Sequence, residues 1–169
     1  MSIKVNDSNE AVMERNEDFD WAGWFQRNGP DVRFPEILAC AKALKDKYEH
    51  VAAVGFCWGG LVNFQLASHA ELFDSVTICH PGTPTEEQVR AIRVPIHLVA
   101  PEHDPTFPQE WKDFCNKEIP KLGVDYCYQH FPRVVHGFTT KCDENNKDER
   151  KALELAKNSV VHWIANHTQ

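Results

Sequence analysis

The chain has 169 residues, enough for one domain with a sizeable core, and its formal net charge of −7 disfavours nucleic acid or an anionic membrane as the main partner. No apolar run approaches the ~18 residues of a membrane span, and the first residues, Met1-Ser2-Ile3-Lys4-Val5-Asn6-Asp7, lack a signal-peptide core. Six cysteines, at 40, 57, 79, 115, 127 and 142, lie far apart without a Cys-x-x-Cys pair, so reduced thiols in a cytoplasmic protein are expected instead of a disulfide framework.

Residues 1–17 are polar and acidic with little apolar periodicity, and a flexible N-terminal arm is expected ahead of a folded body over 18–169. Phe19, Trp21, Trp24 and Phe25 then arrive densely. A short helix packed on the body accounts for them; a wall of a substrate pocket is the sharper alternative for Trp21 and Trp24. Pro35 is expected to open a helix with Ile37, Leu38, Ala41, Leu44 and Tyr48 on one face. A strand follows over 50–55, then a helix carrying Leu61, Val62, Leu66 and His69. The next strand, Ser75–Cys79, ends in His80-Pro81-Gly82. A short helix near Glu86–Arg90 leads to a strand over 95–100, and Pro108 starts a helix with Trp111, Phe114, Cys115 and Leu122 inward. A last strand over 125–131 and a loop to Phe138 precede a helix from about Asp148 to His167, with Ala152, Leu155, Ser159 and Trp163 on one face. Strands as short apolar runs alternating with helices predict an α/β domain, a parallel sheet covered on both sides.

The chain is organised around Val51-Ala52-Ala53-Val54-Gly55-Phe56-Cys57-Trp58-Gly59-Gly60-Leu61-Val62. An apolar strand ends in a glycine, turns through one nucleophilic side chain and leaves through two glycines into a helix. This is a Gly-x-Ser-x-Gly nucleophile elbow with cysteine in place of serine. A nucleophile on a strained turn leaves little room for side chains two residues either side, which predicts glycine at 55 and 59. The following helix aims its N–H groups and dipole at the sulfur, which favours thiolate.

Sites in open parallel sheets lie at the carboxyl ends of the strands. Cys57, Asp104 and His136 each follow a different predicted strand there, in the order nucleophile, acid, histidine that the elbow fold uses. In that arrangement His136 manages the thiol proton and Asp104 fixes the imidazole's tautomer. Asp104 could instead be a helix or turn cap, with Glu102 the next candidate acid. His80 ends a strand at the same rim and is a candidate pocket residue, as is Phe138. His97, within a strand, reads as a satisfied core residue. His80, His103 and His136 show no metal-ligand spacing, so no metal is expected.

On these residues the chain resembles the dienelactone hydrolase family of α/β hydrolases. Gly55-Phe56-Cys57-Trp58-Gly59-Gly60 is similar to its cysteine elbow, Glu102-His103-Asp104 with Phe107-Pro108 to its acid loop, and His136-Gly137-Phe138 to its histidine loop. The resemblance covers about residues 18–167. It implies a three-layer, mostly parallel sheet flanked by helices, and hydrolysis of a small ester or lactone by a Cys–His–Asp triad without metal or organic cofactor. Family members carry further strands and an acidic residue near the cysteine ahead of this point. Only about 50 residues precede the elbow strand here, so a shortened domain lacking the first strands is expected. The oxyanion hole of this fold uses the N–H after the nucleophile, that of Trp58, plus one from an earlier strand–helix loop. The elbow strand is then expected at a sheet edge, where a second copy or a swapped arm would cover it.

Three functions compete on this reading. The first is a cysteine hydrolase on a small ester, thioester or lactone. The second is an isomerase, cyclase or lyase in the same pocket acting on a reactive small molecule, since fold does not fix reaction. The third is a non-catalytic module binding a partner through its open edge.

Overall fold

The computed structural model describes residues 2–5, 11–14, 18–143 and 145–168. Strands β1 (Ser2–Val5) and β2 (Ala11–Glu14) pair antiparallel in a small sheet of their own. The flexible arm expected over 1–17 is therefore in part a strand pair, and the rest of that stretch lies outside the described residues. Two four-residue strands divided by polar residues offer too few alternations for a period-two signal.

Helix α1 (Trp21–Asn28) starts where the Asp20 carboxylate accepts the Gly23 N–H at 2.8 Å. Gly29 then turns the chain directly into α2 (Pro30–Lys45). The helix expected to open at Pro35 thus opens at Pro30, with Pro35 inside it. Two prolines five positions apart both read as helix starts, and the earlier one, at the first helical position, forfeits no hydrogen bond.

The body alternates as expected: β3 (Ala52–Phe56), α3 (Trp58–Leu66), β4 (Ser75–Cys79), α4 (Glu86–Arg90), β5 (Ile96–His103), α5 (Gln109–Glu118), β6 (Tyr126–Val135) and α6 (Lys147–His167). The four body strands form one parallel sheet in the order β3-β4-β5-β6. β4 is buried at every position, as befits a central strand covered on both faces. β3 lies at the edge, as the sequence predicts. β5 and β6 run further than their apolar segments, to His103 and Val135, pairing Pro101 with Phe131 and His103 with Val135 across an irregularity. That extension carries the acid and histidine loops out side by side.

Two cores lie on the sheet's two faces. The larger gathers Val62, Phe64, Ile78, Ile96, Leu98, Phe107 and Ile119 under α3, α4 and α5. The smaller gathers Val99, Phe131, Val134 and Phe138 with Ala152 and Ala156 of α6. The inward face of α6 is therefore rotated from the expectation: Ala156 is buried and Leu155 is 49% exposed. Two alanines bring the helix close to the sheet, while Ser159 and Trp163 meet buried His97, the Ser159 hydroxyl 3.1 Å from Nε2 and the Trp163 ring at 5.5 Å. α6 spans β4, β5 and β6. Beside it an apolar groove of about 270 Å³, lined by Phe56, Leu153, Val160 and Val161 among others, opens toward the β3 edge.

Candidate active site

The elbow forms where the sequence puts it. Cys57 sits between β3 and α3 with φ 53° and ψ −112°, a positive-φ conformation costly for a non-glycine residue, on the order of 1–3 kcal/mol. Its N–H bonds the Cys79 carbonyl at 3.1 Å, tying the turn to β4. Gly55 is required: a Cβ there would lie 2.2 Å from the Gly59 carbonyl oxygen. The expectation that Gly59 is equally constrained is corrected, for a Cβ there meets nothing within 4 Å. Gly60 carries the second constraint, with a Cβ at 3.0 Å from the Cys79 carbonyl oxygen and 3.2 Å from Pro81. The close approach of α3 to β4 needs that glycine.

Asp104 and His136 meet directly. His136 Nδ1 lies 3.0 Å from each carboxylate oxygen of Asp104, and both side chains are almost wholly buried, 5% and 0% exposed. Asp104 also accepts the backbone N–H groups of Thr106 at 2.9 Å and Phe107 at 3.2 Å. It is therefore a turn cap and the imidazole's partner at once, where the sequence offered these as alternatives. Glu102, the alternative acid, accepts the Arg133 N–H at 2.6 Å and so pins the β5 end to the β6 end.

Burial pushes the His136 imidazolium down, but the Asp104 hydrogen bond and charge, with the Cys57 thiol, lift it to about 9. Nε2 is buried and makes no hydrogen bond of normal geometry among the described residues, while the Cys57 thiol acts on this ring together with Asp104 and the Thr106 hydroxyl. Burial pushes the Cys57 thiol up, yet hydrogen bonding and charge from His136, aided by the Trp58 N–H, leave it below its ordinary value. Cys79 and Cys115, by contrast, are pushed up to about 12 by burial alone. The two shifts favour the same pairing, a thiol that gives up its proton more readily than an ordinary cysteine beside an imidazole that holds its proton more tightly.

Three side chains escaped sequence reasoning. The Thr106 hydroxyl lies 2.8 Å from Asp104 Oδ1, 2.9 Å from His136 Nδ1 and 3.1 Å from the Pro81 carbonyl oxygen. Its only sequence signal was its place two residues after an aspartate, the spacing of a side-chain-capped turn. Lys112 is 2% exposed and donates to the Pro101 and Glu102 carbonyls at 2.7 and 2.9 Å, closing the end of β5. Nothing in a helix reading distinguishes that lysine from a solvated one. Thr139 reaches His80, 2.6 Å from Nε2.

The structure brings some candidate pocket residues to the rim and not others. His80 is at the site but wholly buried, its ring 4.9 Å from that of His136. Phe138 is 1% exposed and packs on Phe131 and His80, anchoring the histidine loop. Trp21 and Trp24 pack with Phe19 and Phe25 in their own segment. α1 sits on α2, whose Asp31 bonds Gln65 near the end of α3 away from Cys57. These contacts match the helix packed on the body that the sequence allowed for this stretch. The Trp58 N–H faces the Cys57 sulfur. Among the described residues, no three His, Cys, Asp or Glu side chains are grouped to hold a metal ion.

The dienelactone hydrolase family model matches residues 24–168. The chain belongs to that family. Among curated relatives, a hydrolase of Aspergillus violaceofuscus, pyvD, is 26% identical over 154 residues, 90% of this chain and 62% of its own length. A carboxymethylenebutenolidase homologue of Xenopus tropicalis is 24% identical over 154 residues, 88% of this chain and 62% of its own. Against both, this member of the family spans about three fifths of the relative's length. The fold is shared with a Klebsiella pneumoniae crystal structure assigned to the dienelactone hydrolases, at TM-score 0.72 and 14% identity over 89% of this chain and 69% of that one. It is shared also with the monoacylglycerol lipase of Paleococcus ferrophilus, at TM-score 0.66 and 13% identity over 84% and 77%.

Proposed function

We propose that this dienelactone hydrolase family member cleaves a small ester or lactone through Cys57, His136 and Asp104. The observation that carries the reading is the buried Asp104–His136 pair, whose imidazolium lowers the proton affinity of the Cys57 thiol. The thiolate attacks the carbonyl carbon, and the Trp58 N–H donates to the oxygen that gains charge. As the intermediate collapses, the C–O bond to the alcohol breaks and His136 gives that oxygen its proton. The neutral imidazole then takes a proton from water, which attacks the thioester, releases the acid and returns sulfur as thiolate and His136 as imidazolium. Asp104 stays ionised and holds the ring throughout. The six free cysteines fit a reducing, cytoplasmic setting.

The test is turnover of p-nitrophenyl acetate by the chain as it stands. Acetylation of Cys57, visible by mass spectrometry, with turnover lost in Cys57→Ala, is expected; turnover unchanged in Cys57→Ala overturns the reading.

One observation favours the second reading, an isomerase, cyclase or lyase in the same pocket. β3 has no neighbour on its outer side among the described residues, so the strand–helix loop that supplies the second oxyanion donor elsewhere in the fold has no counterpart there. One such donor is worth about 3 kcal/mol of barrier. Products isomeric with substrate and free of oxygen from labelled water would select it. The same bare edge, next to the groove lined by Phe56 and Val161, supports pairing with a second copy. A dimer by light scattering, lost when Val54→Pro removes a backbone donor from β3, is the expected result.

A further inference from the structure

The turn after β4 grips the histidine–acid pair from two sides. On one side the Pro81 carbonyl holds the Thr106 hydroxyl, which bonds both Asp104 and His136 Nδ1. On the other the His80 ring stands 4.9 Å from the His136 ring, inclined at 63°, the edge-to-face geometry of an aromatic contact. His80 is wholly buried and is held by Thr139 at 2.6 Å and by Phe138 at 5.9 Å, both from the loop that carries His136. Its backbone φ is 35°, the second positive-φ non-glycine residue on this rim beside Cys57. A bulky side chain in that region is uncommon, and such strain persists where the surroundings over-determine it.

We infer that His80 is a positioning residue: its ring walls the His136 imidazole from water and keeps Nε2 directed at the Cys57 sulfur. Among the described residues, the groups facing His136 include Asp104 and Thr106 at Nδ1, the Cys57 thiol, and the His80 ring on its flank. His80 does this as a neutral ring. Burial, with the positive charge of His136, drives it down to about 4, so it adds no competing cation beside the imidazolium. No substrate contact is needed, which separates this role from the pocket-lining one the sequence suggested.

The inference rests on the triad reading, and one experiment distinguishes their failures. Iodoacetamide labelling of Cys57 is followed by peptide mass spectrometry from pH 5 to 9. His136→Ala is the control: if it leaves the Cys57 profile unchanged, the triad reading fails whatever His80 does. With that control behaving, His80→Asn removes the ring while retaining a residue tolerant of positive φ. The Cys57 midpoint is expected to rise about one pH unit, slowing labelling about tenfold at pH values below the wild-type midpoint, because only the thiolate reacts. His80→Phe, which keeps a ring of similar size, is expected to restore most of the profile. Should His80→Asn fail to fold, Thr139→Val frees the ring at its anchor, and the same shift at smaller size is expected. A folded His80→Asn or Thr139→Val protein with the wild-type profile overturns the inference, as does His80→Phe behaving like His80→Asn. A merely structural His80 would lower the melting temperature and leave that profile in place.

Discussion

The two halves of the site are built to different standards. Asp104 and His136 lie between β5 and β6, interior and last strand of the sheet, buried and cross-braced by Thr106, Lys112, the Pro81 carbonyl and His80. Cys57 stands at the end of the edge strand β3, half-exposed, held by one backbone bond to β4 and by its interaction with His136. The difference shows that a rigid acid–histidine pair can be built from neighbouring loops of one sheet half, without the strand that carries the thiol.

That contrast can be broken most sharply at the acid. Asp104→Asn keeps a capping oxygen yet removes the charge and allows the wrong tautomer, and kcat/KM on an activated ester is expected to fall about 10⁴-fold. A fall below tenfold would mean that the acid half is scaffolding alone.

The second way is through pH. His136 is raised to about 9, so below that value the imidazolium, the proton donor of the proposed mechanism, is the populated form. The Cys57 thiol lies below its ordinary value, so the thiolate forms at lower pH than in an unperturbed cysteine. Ester kcat/KM should therefore fall as pH rises through about 9, while alkylation of Cys57 holds. On the acid side both should decline together as the thiol gains its proton. The same sign applies to stability. The part due to the raised His136 is fully present below its unfolded value near 6.5 and is lost as pH rises through about 9, readable in melts at pH 6 and 9.5.

The smallest effects sit in the elbow glycines. Gly55→Ala puts a methyl against the Gly59 carbonyl and should cost about 1–3 kcal/mol or prevent folding. Gly59→Ala meets open space within the first turn of α3 and should be neutral or stabilise by up to about 1 kcal/mol. Urea melts of the two variants check the pair, and equal losses would mean the turn is constrained differently.

Much of this was readable without coordinates because the signals are local. Continuous apolar runs gave β3, β4 and the first part of β5, since strands covered on both faces leave no alternation to misread. The elbow gave Cys57 because a glycine two residues before it is forced by backbone contact. Asp104 and His136 followed from chain order and strand ends. The misreadings share a cause. Pro35 against Pro30, Leu155 against Ala156, and β1–β2 against an arm each turned on a choice between near-equal local patterns, settled by what packs alongside.

Alone, the order of residues determined an α/β sheet, a thiol on a tight turn and an acid–histidine pair to match it, because strand burial and turn sterics act over a few neighbouring positions. Only the tertiary structure decided that Thr106 bonds both members of that pair, that Lys112 seals the end of β5, and that His80 is a buried ring against His136. Those contacts join segments far apart in the chain, and their strength comes from the exclusion of water, which no single segment achieves.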